Sequence, residues 1–248
     1  MEGASAIAAV ICAAGFSTRM GGVKKEYQKL NSLAGSPTVL QAAVSAFASV
    51  SSVEIIVITV PSGGEAGARN ALSPELLSAQ KPKLLFVTGG LTRRESAFNA
   101  LSFLAAYNPS YVLIHDGARP WVSPRLIEAV IEAVKKHGAA VPLLPLTDTP
   151  KECDAPLWAG QSQTDAPAVF INRHLKRPYI GIAQTPQGFA FPAILRAHEK
   201  AASLNGEEFT DDAEVWGRFC GQVAAVPGSK ENRKITFPLD IAQVCRNA

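Results

Sequence analysis

The sequence predicts a three-layer α/β fold in which helices cover both faces of a mainly parallel sheet. Short apolar runs alternate with segments of helical period, and this alternation is typical of crossover connections between parallel strands. Of the 248 residues, 47% are hydrophobic and 18% are charged, as in an ordinary globular protein. The six predicted strands are Ala6–Ala13, Val53–Val60, Lys83–Val87, Tyr111–His115, Ala139–Leu146 and Gln222–Val226.

Two of the predicted helices carry recognisable signals at their ends. Thr92 and Glu95 have the spacing of a capping box, which opens a helix after the third strand. Ser123 followed by Pro124 is typical of an N-cap and a first-turn proline, and Gly138 is placed to end that helix. These signals fix the boundaries of two helices that pack against the predicted sheet.

The composition argues against several classes of protein. A formal net charge of +3 is too small to indicate nucleic-acid binding, and no stretch forms a basic stripe with interleaved aromatic residues. The four cysteines lack the spacing of metal ligands. No secretory signal and no uncharged apolar stretch of about 18 residues is present. We therefore expect a cytoplasmic protein that does not bind membranes.

One region, from about residue 147 to residue 183, breaks the alternation of strands and helices. It is rich in proline and lacks a helical period, and a loop of this length is usually functional or locally folded. We expect a β-arm that projects from a single domain spanning residues 1–248. Trp158, Phe170 and Tyr179 give the arm apolar surface, which a homodimer formed through the arm would bury. The alternative is an arm folded back on its own domain.

The first candidate motif is Ala13–Met20, which follows the first predicted strand and precedes Lys24 and Lys25. A strand that ends in small residues allows backbone N–H groups to approach a ligand closely. Arg19 and the two lysines add positive charge beside these amides. The motif therefore predicts a site for a polyphosphate, although it matches neither the P-loop nor the dinucleotide-binding pattern.

A second candidate site begins at Gly89 and Gly90, which end the third predicted strand. Arg93 and Ser96 follow at the start of the predicted helix. Because first-turn amides lack partners within a helix, this arrangement favours an anion or nucleobase pocket. The alternative is an ordinary helix start, where serine and charged residues are common.

The third motif, His115–Pro120, follows the fourth predicted strand. Asp116 and Arg119 lie at the carboxyl end of that strand, where open α/β sheets bind ligands. Asp116 could hold a divalent cation or accept substrate hydroxyls, and Arg119 could hold a phosphate. The alternative for these two residues is a mutual ion pair. We expect His115 to be a structural residue.

Further polar residues lie near the end of the chain. Asn232, Lys234 and Thr236 alternate along a short extended segment, so they point to one side of it. Lys234 could therefore enter the phosphate site from the far side. Thr210-Asp211-Asp212 is explained by a helix cap with acids in the first turn.

These motifs, in this order, resemble the 2-C-methyl-D-erythritol 4-phosphate cytidylyltransferases of the non-mevalonate isoprenoid pathway. The resemblance extends over nearly the whole chain, and it implies a Rossmann-like nucleotidyltransferase fold. It also implies transfer of the cytidylyl group from CTP to the polyol phosphate, release of pyrophosphate, and Mg²⁺ as cofactor. A ribitol 5-phosphate cytidylyltransferase and a catalytically silent nucleotide-binding module are the alternatives. No second domain follows, so we expect no fused cyclase.

The resemblance implies three groups of site residues. The catalytic group is Arg19, Lys25 and Lys234. The nucleotide-binding group is Ala13, Ala14, Gly15, Gly89, Arg93 and Ser96. The group that binds the polyol phosphate is Asp116, Arg119, Thr149, Arg177 and Thr185.

Two of these assignments have competitors. Lys24 could replace Lys25, because the family usually has a proline at the preceding position. Arg173 could replace Arg177, since the arm is longer here than is usual in the family. The resemblance further implies that Arg177 and Thr185 complete the site of the neighbouring subunit in a homodimer.

Overall fold

The computed structural model describes residues 6–15, 22–31, 33, 35–157, 168–204 and 207–242. Within these ranges, an eight-stranded sheet lies at the centre of the molecule and a two-stranded sheet lies apart from it. The strands are β1 (Ile7–Cys12), β2 (Val53–Val60), β3 (Lys83–Thr88), β4 (Tyr111–Asp116), β5 (Ala139–Pro145), β6 (Lys151–Cys153), β7 (Ile171–His174), β8 (Gly181–Ala183), β9 (Gln187–Ala190) and β10 (Ala224–Pro227).

The central sheet has the order β10-β5-β9-β4-β1-β2-β3, and β8 pairs with the end of β5. The six predicted strands are confirmed, and they run parallel to one another. The sequence did not predict β8 or β9, which are antiparallel to their neighbours. Both are too short to show an alternating pattern of apolar and polar residues, so their place in the sheet follows only from long-range pairing.

The helices form a layer on each face of the sheet. They are α1 (Val39–Ala48), α2 (Glu65–Asn70), α3 (Pro74–Ser78), α4 (Arg93–Leu104), α5 (Pro124–His137), α6 (Phe191–Ala202), α7 (Asp212–Phe219) and α8 (Pro238–Ala242). Successive side chains of β1 point to opposite faces, so Ile7 and Ile11 pack with α1 and α5, whereas Ala8 and Val10 pack with α4, α6 and α7. The predicted three-layer fold is therefore confirmed.

The predicted helix caps are also confirmed. Thr92 and Glu95 form a reciprocal capping box at the start of α4. The Ser123 side chain accepts a hydrogen bond from the third residue of α5, and Gly138 ends that helix with a φ of +82°. Asp211 caps α7 through its carboxylate. No helix in the described part of the chain is both long and apolar enough to cross a membrane.

The region from 147 to 183, where the sequence predicts a β-arm, contains three short strands. Strands β6 and β7 pair with each other as an antiparallel ribbon, and β8 then returns the chain to the central sheet. Phe170 is 68% exposed and Tyr179 is 83% exposed, so their own domain does not cover these side chains. Trp158, the third aromatic residue of the predicted apolar surface, lies outside the described residues.

The insertion of β9 between β4 and β5 depends on a glycine. A Cβ atom on Gly188 would lie 2.4 Å from Val134 Cγ2 and 2.9 Å from Leu113 Cδ2. We expect Gly188→Ala to lower the free energy of unfolding by about 1–3 kcal/mol, because an overpacked core must shift. Gly217→Ala in α7 is the control, since nothing lies within 4 Å of its Cβ position. Denaturant titration measures both, and equal stabilities for the two variants would contradict this packing.

Candidate active site

The carboxyl ends of β1 and β4 lie side by side and bring two of the predicted motifs together. Cys12 at the end of β1 pairs with Asp116 at the end of β4. Gly117 donates its amide to the Cys12 carbonyl at 2.9 Å, and a Cβ atom on this glycine would lie only 3.0 Å from that oxygen. Ligands bind at this edge in open α/β sheets, so we centre the candidate site on Asp116.

The first motif lies at this edge, but one of its amides already has partners. The Ala13 amide donates to the Thr59 carbonyl at 3.2 Å and to Thr59 Oγ1 at 3.1 Å. The Ala13 amide is therefore already bonded within the sheet, and the expected contact of the Ala13 backbone with a nucleotide stays a prediction. Ala14 is buried and Gly15 is exposed. The predicted catalytic residue Arg19 falls outside the residues that the structure describes.

The second motif contacts the first one directly. A Cβ atom on Gly89 would lie 2.3 Å from Ala14 Cβ, so only glycine allows this approach. The Gly90 amide donates to Ser96 Oγ at 3.1 Å, and that hydroxyl donates to the Thr92 carbonyl at 2.9 Å. Ser96 is buried, and its hydroxyl closes the glycine turn. The expected contact between Ser96 and cytidine stays a prediction.

Asp116 is the centre of a cluster of ion pairs. Its Oδ1 accepts a hydrogen bond from Arg93 Nε at 3.0 Å. Its Oδ2 lies 2.8 Å from Lys234 Nζ and 3.6 Å from Arg119 Nε. The structure thus brings together Arg93, Asp116, Arg119 and Lys234, which the sequence placed in three separate groups. The mutual ion pair of Asp116 and Arg119 is present, and it is the longest of these three contacts.

The three cations determine the charge state of Asp116. Burial alone would raise the pKa of this carboxyl group, because removal from water disfavours the charged form. Arg93, Lys234 and Arg119 outweigh burial and hold the pKa of Asp116 well below its usual range. The carboxylate is therefore ionised at physiological pH, and it orients the cations that surround it.

Arg93 also contacts a second buried carboxylate, which the sequence analysis did not identify as part of a site. Arg93 Nη1 donates to Asp212 Oδ2 at 2.7 Å, and Asp212 Oδ1 lies 3.1 Å from Nε2 of the buried His198. Asp211 caps α7 and Asp212 is an acid in its first turn, as predicted, and the contact with Arg93 gives Asp212 a second role. Arg93 Nη2 is buried and has no hydrogen-bond partner among the described residues, so this donor is available to a ligand.

Thr185 and His115 support Asp116 from the protein interior. The Asp116 amide donates to Thr185 Oγ1 at 3.1 Å, and this oxygen lies 3.0 Å from His115 Nδ1. The other ring nitrogen of His115 lies 3.1 Å from the Arg119 carbonyl oxygen. Thr185 is 4% exposed. This position corrects the expectation that Thr185 is an arm residue reaching the site of a neighbouring subunit.

Lys25 and Lys234 meet at one segment near the end of the chain. Lys25 Nζ donates to the carbonyl of Ile235, the residue that follows Lys234, at 2.9 Å. Lys24 instead forms an ion pair with Glu26 at 3.3 Å, and its Nζ donates to the carbonyl of Gly15 in the first motif. Lys25 thus lies beside the segment of Lys234 and Lys24 beside the predicted nucleotide-binding residues, and the choice between the two lysines stays a prediction.

The remaining predicted residues lie on the arm. Thr149 and Arg177 are both exposed, and Arg177 Nη1 donates to the Thr147 carbonyl at 2.6 Å. The competing Arg173 forms an ion pair with Glu152 at 2.6 Å, across the ribbon of β6 and β7. These partners all belong to the arm, so the contacts do not join Thr149 or Arg177 to the Asp116 cluster within one subunit.

Comparison with known families agrees with this arrangement. The model of the 2-C-methyl-D-erythritol 4-phosphate cytidylyltransferase family matches residues 7–245. The chain belongs to this family. Its sheet and helix layers are those of the Rossmann-like nucleotidyltransferase fold found in structures of cytidylyltransferase family members.

Individual relatives extend the likeness over most of the chain. A 2-C-methyl-D-erythritol 4-phosphate cytidylyltransferase of Streptomyces avermitilis is 36% identical over 94% of this chain and 88% of its own length. A bifunctional enzyme IspD/IspF of Brucella anthropi is 35% identical over 96% of this chain and 54% of its own. The chain thus spans about half the length of its bifunctional relatives. The structure of 4-diphosphocytidyl-2C-methyl-D-erythritol synthase from Anaerococcus prevotii superposes with a TM-score of 0.79 at 25% identity, covering 98% of this chain and 96% of that one.

The resemblance to cytidylyltransferases implies magnesium, but the described residues form no site for this ion from protein side chains alone. In the described ranges, no group of three or more His, Cys, Asp or Glu residues could hold a metal ion. Asp116, the one candidate ligand, already has cations at both carboxylate oxygens. A further cation at this carboxylate would be repelled by them, so Asp116 does not fit as a ligand in this arrangement. The dependence on Mg²⁺ stays a prediction.

The buried His115 predicts how the stability of this cytidylyltransferase family member depends on pH. Burial lowers the pKa of His115 from 6.5 to about 4, so the folded state keeps the ring neutral while the unfolded state protonates it. Stability from this residue is present above pH 6.5 and is lost as the pH falls. We expect the loss between pH 7 and pH 5 to be about 2 kcal/mol.

Denaturant titrations of His115→Gln at both pH values measure this contribution, because the variant lacks the titrating ring. The difference in stability between pH 7 and pH 5 should be smaller in His115→Gln than in the wild type. His137→Gln, which alters an exposed histidine at the end of α5, should keep the wild-type difference. An unchanged difference in His115→Gln would contradict the assignment.

Proposed function

We propose that this chain transfers the cytidylyl group of CTP to 2-C-methyl-D-erythritol 4-phosphate, releases pyrophosphate and so serves the non-mevalonate isoprenoid pathway. The observation that carries the proposal is the gathering of Arg93, Arg119 and Lys234 on Asp116, at the edge of the sheet where such folds bind ligands. Membership of the cytidylyltransferase family supplies the identity of the two substrates.

The proposed reaction must bring two anions together. A phosphate oxygen of the polyol phosphate attacks the α-phosphorus of CTP in line with the leaving pyrophosphate. In water, the interaction energy of two unit charges about 4 Å apart is about 1 kcal/mol, whereas near a protein surface it is about 4 kcal/mol. Cations that are already in place therefore offset the repulsion far better than solvent does, and they stabilise the charge that develops in the transition state.

The proposed mechanism needs no covalent intermediate and no general base. A phosphate monoester is an anion at neutral pH and is itself the nucleophile. Burial raises the pKa of the Cys12 thiol beneath the site to about 12, so this thiol stays protonated. His115 is fully buried and neutral, and its ring nitrogens face Thr185 and the Arg119 carbonyl. These two residues have structural roles.

We assign the roles of the cations from their contacts. Lys234 lies against Asp116, and the next residue, Ile235, accepts a hydrogen bond from Lys25. Lys234 therefore bridges the two substrates near the reacting phosphorus. Arg119 binds the polyol phosphate. Arg93 offers its unpartnered Nη2 to the ligand. Arg19 lies outside the described residues, and its role on the triphosphate beside Lys25 comes from the family resemblance alone. Magnesium remains part of the proposal as an ion that arrives with CTP.

The preferred polyol phosphate is tested by a pyrophosphate-release assay with CTP. Turnover with methylerythritol phosphate and little with ribitol 5-phosphate supports the proposal. The reverse preference identifies a ribitol 5-phosphate cytidylyltransferase, because that enzyme would use nearly the same motifs. No release with either acceptor identifies a silent nucleotide-binding module.

We also propose that the arm completes the site of a second subunit in a homodimer. Thr149 and Arg177 are exposed on the arm, and the arm carries the exposed apolar side chains Phe170 and Tyr179. An exposed apolar surface of this kind is typical of an interaction site. In a dimer with two-fold symmetry, each arm would meet the body of its partner, so both sites would be completed in the same way.

Removal of either lysine from the proposed site should abolish most of the activity. We expect Lys25→Ala and Lys234→Ala each to lower turnover by about 10²–10⁵, the range for removing a cation or donor that stabilises the transition state. Steady-state kinetics with both substrates measures the loss. Lys136→Ala, which removes an exposed lysine from α5, should leave turnover unchanged. Turnover like that of the wild type in both site variants would remove these lysines from the mechanism.

A mixing experiment tests the shared site. We expect Arg177→Ala and Lys234→Ala each to be weakly active alone. Mixed dimers should regain activity, because one of their two sites combines an intact body with an intact arm. No recovery, with mixed dimers verified by native mass spectrometry, would mean that Arg177 does not act in the partner's site. Arg173→Ala in place of Arg177→Ala tests the competing residue in the same way.

A further inference from the structure

The side-chain amide of Gln184 forms hydrogen bonds to a single turn through both its nitrogen and its oxygen. It is 3% exposed and lies just after β8, at the beginning of the segment Gln184–Gln187. Its Nε2 donates to the carbonyls of Ser229 and Asn232, at 2.8 Å and 3.2 Å. Its Oε1 accepts from the Ser229 amide at 3.1 Å and from Asn232 Nδ2 at 3.4 Å. One side chain thus fixes both ends of the turn 229–232.

This turn leads directly to Lys234, and its other contacts reach the Asp116 cluster. Asn232 is fully buried, its Nδ2 donates to the Thr185 carbonyl at 2.8 Å, and its own carbonyl accepts from Arg119 Nη1 at 2.8 Å. Beyond Lys234, the Ile235 amide donates to the Ala118 carbonyl at 2.8 Å. The backbone is therefore held on both sides of Lys234, and Gln184 contributes most of the contacts on the first side.

We infer that Gln184 is a positioning residue, whose amide fixes the turn 229–232 and thereby sets where the Lys234 ammonium meets Asp116. The inference rests on the proposed function, since the importance of Lys234 for turnover is part of that proposal. The sequence analysis gave a role to Thr185 alone within this segment. Among the described residues, the side-chain hydrogen bonds of Gln184 are with Ser229 and Asn232, neither of which has a proposed role in the transfer, so Gln184 acts through the turn.

The chemistry of the turn requires an amide at this position. The turn presents two carbonyl oxygens and two N–H donors to the Gln184 side chain, and a side-chain amide matches them with two N–H donors and one oxygen that accepts twice. A carboxylate would face the two carbonyls without a donor. An apolar side chain would leave the Ser229 amide without its partner and would remove one hydrogen bond from each of the other three groups, which keep a partner elsewhere. Gln184 also packs closely against Gly228, the residue before the turn, because a Cβ atom on Gly228 would lie 2.8 Å from Gln184 Oε1.

Gln187 provides a matched control within the same segment. It is also buried, and its Nε2 donates to Asp211 Oδ2 at 2.7 Å while its Oε1 accepts from the Ala213 amide at 3.0 Å. These bonds hold the start of α7, not the turn before Lys234. A general effect of losing a buried amide should therefore appear in both glutamine variants, whereas disturbance of the turn should appear only in Gln184 variants.

A double-mutant cycle tests the inference. We expect Gln184→Met to lower kcat by about tenfold in the wild type and by less than about threefold in Lys234→Ala, because residues that act through one another are not additive. Gln184→Glu, which keeps the size of the side chain, should behave in the same way and serves if the methionine variant does not fold. An equal loss of kcat in both backgrounds would overturn the inference.

Hydrogen exchange gives a readout that does not require activity. Gln184→Met and Gln184→Glu should raise the exchange rates of amides in residues 229–235 by about tenfold. Gln187→Met should raise exchange at the start of α7 and leave residues 229–235 at the wild-type rate. Unchanged exchange in residues 229–235 of the Gln184 variants would overturn the inference.

Failure of the proposed function has a different signature. It would appear as a wild-type protein without CTP turnover, or as full turnover in Lys234→Ala, whatever the exchange rates show. The exchange result alone then decides whether Gln184 fixes the turn.

Discussion

The buried carboxylate of Asp116 imposes a constraint that organises the whole site. Removing a carboxylate from water costs several kcal/mol unless cations and hydrogen bonds compensate. Here the compensation comes from Arg93 after β3, Arg119 after β4 and Lys234 near the end of the chain. Folding of the central sheet must bring these segments together, since loss of any one would leave a buried charge poorly paired. The same requirement concentrates positive charge where a phosphate would bind.

The surrounding residues keep this cluster rigid. Thr185 holds the backbone of Asp116, Asp212 holds the far side of Arg93, and Gln184 holds the turn that leads to Lys234. For phosphoryl-type transfer, the protein contributes positioning and fixed charge and little covalent chemistry. A cluster whose members are each fixed by a second contact meets that need, because its donors do not have to reorganise during the reaction.

The fold was largely predictable from the sequence, and the site was predictable only in part. Apolar runs and helix caps are local patterns, so the parallel strands and the ends of α4 and α5 were predicted correctly. The motifs around Gly89 and Asp116 follow strands, and their common edge was therefore predictable as well. The contacts that support the site could not be predicted from the sequence. Arg93 and Asp212 are separated by 119 residues, and Gln184 and Asn232 by 48, so no spacing in the sequence relates them. The bond from Ala13 to Thr59 was hidden for the same reason, since it depends on pairing between strands.

A crystal structure with a non-hydrolysable CTP analogue and methylerythritol phosphate tests the central claim most directly. We expect both substrates to bind at the carboxyl edge of the sheet, with the α-phosphorus of the nucleotide between Lys25 and Lys234 and the polyol phosphate against Arg119. Phosphate groups bound elsewhere, with these side chains in contact only with protein, would contradict it.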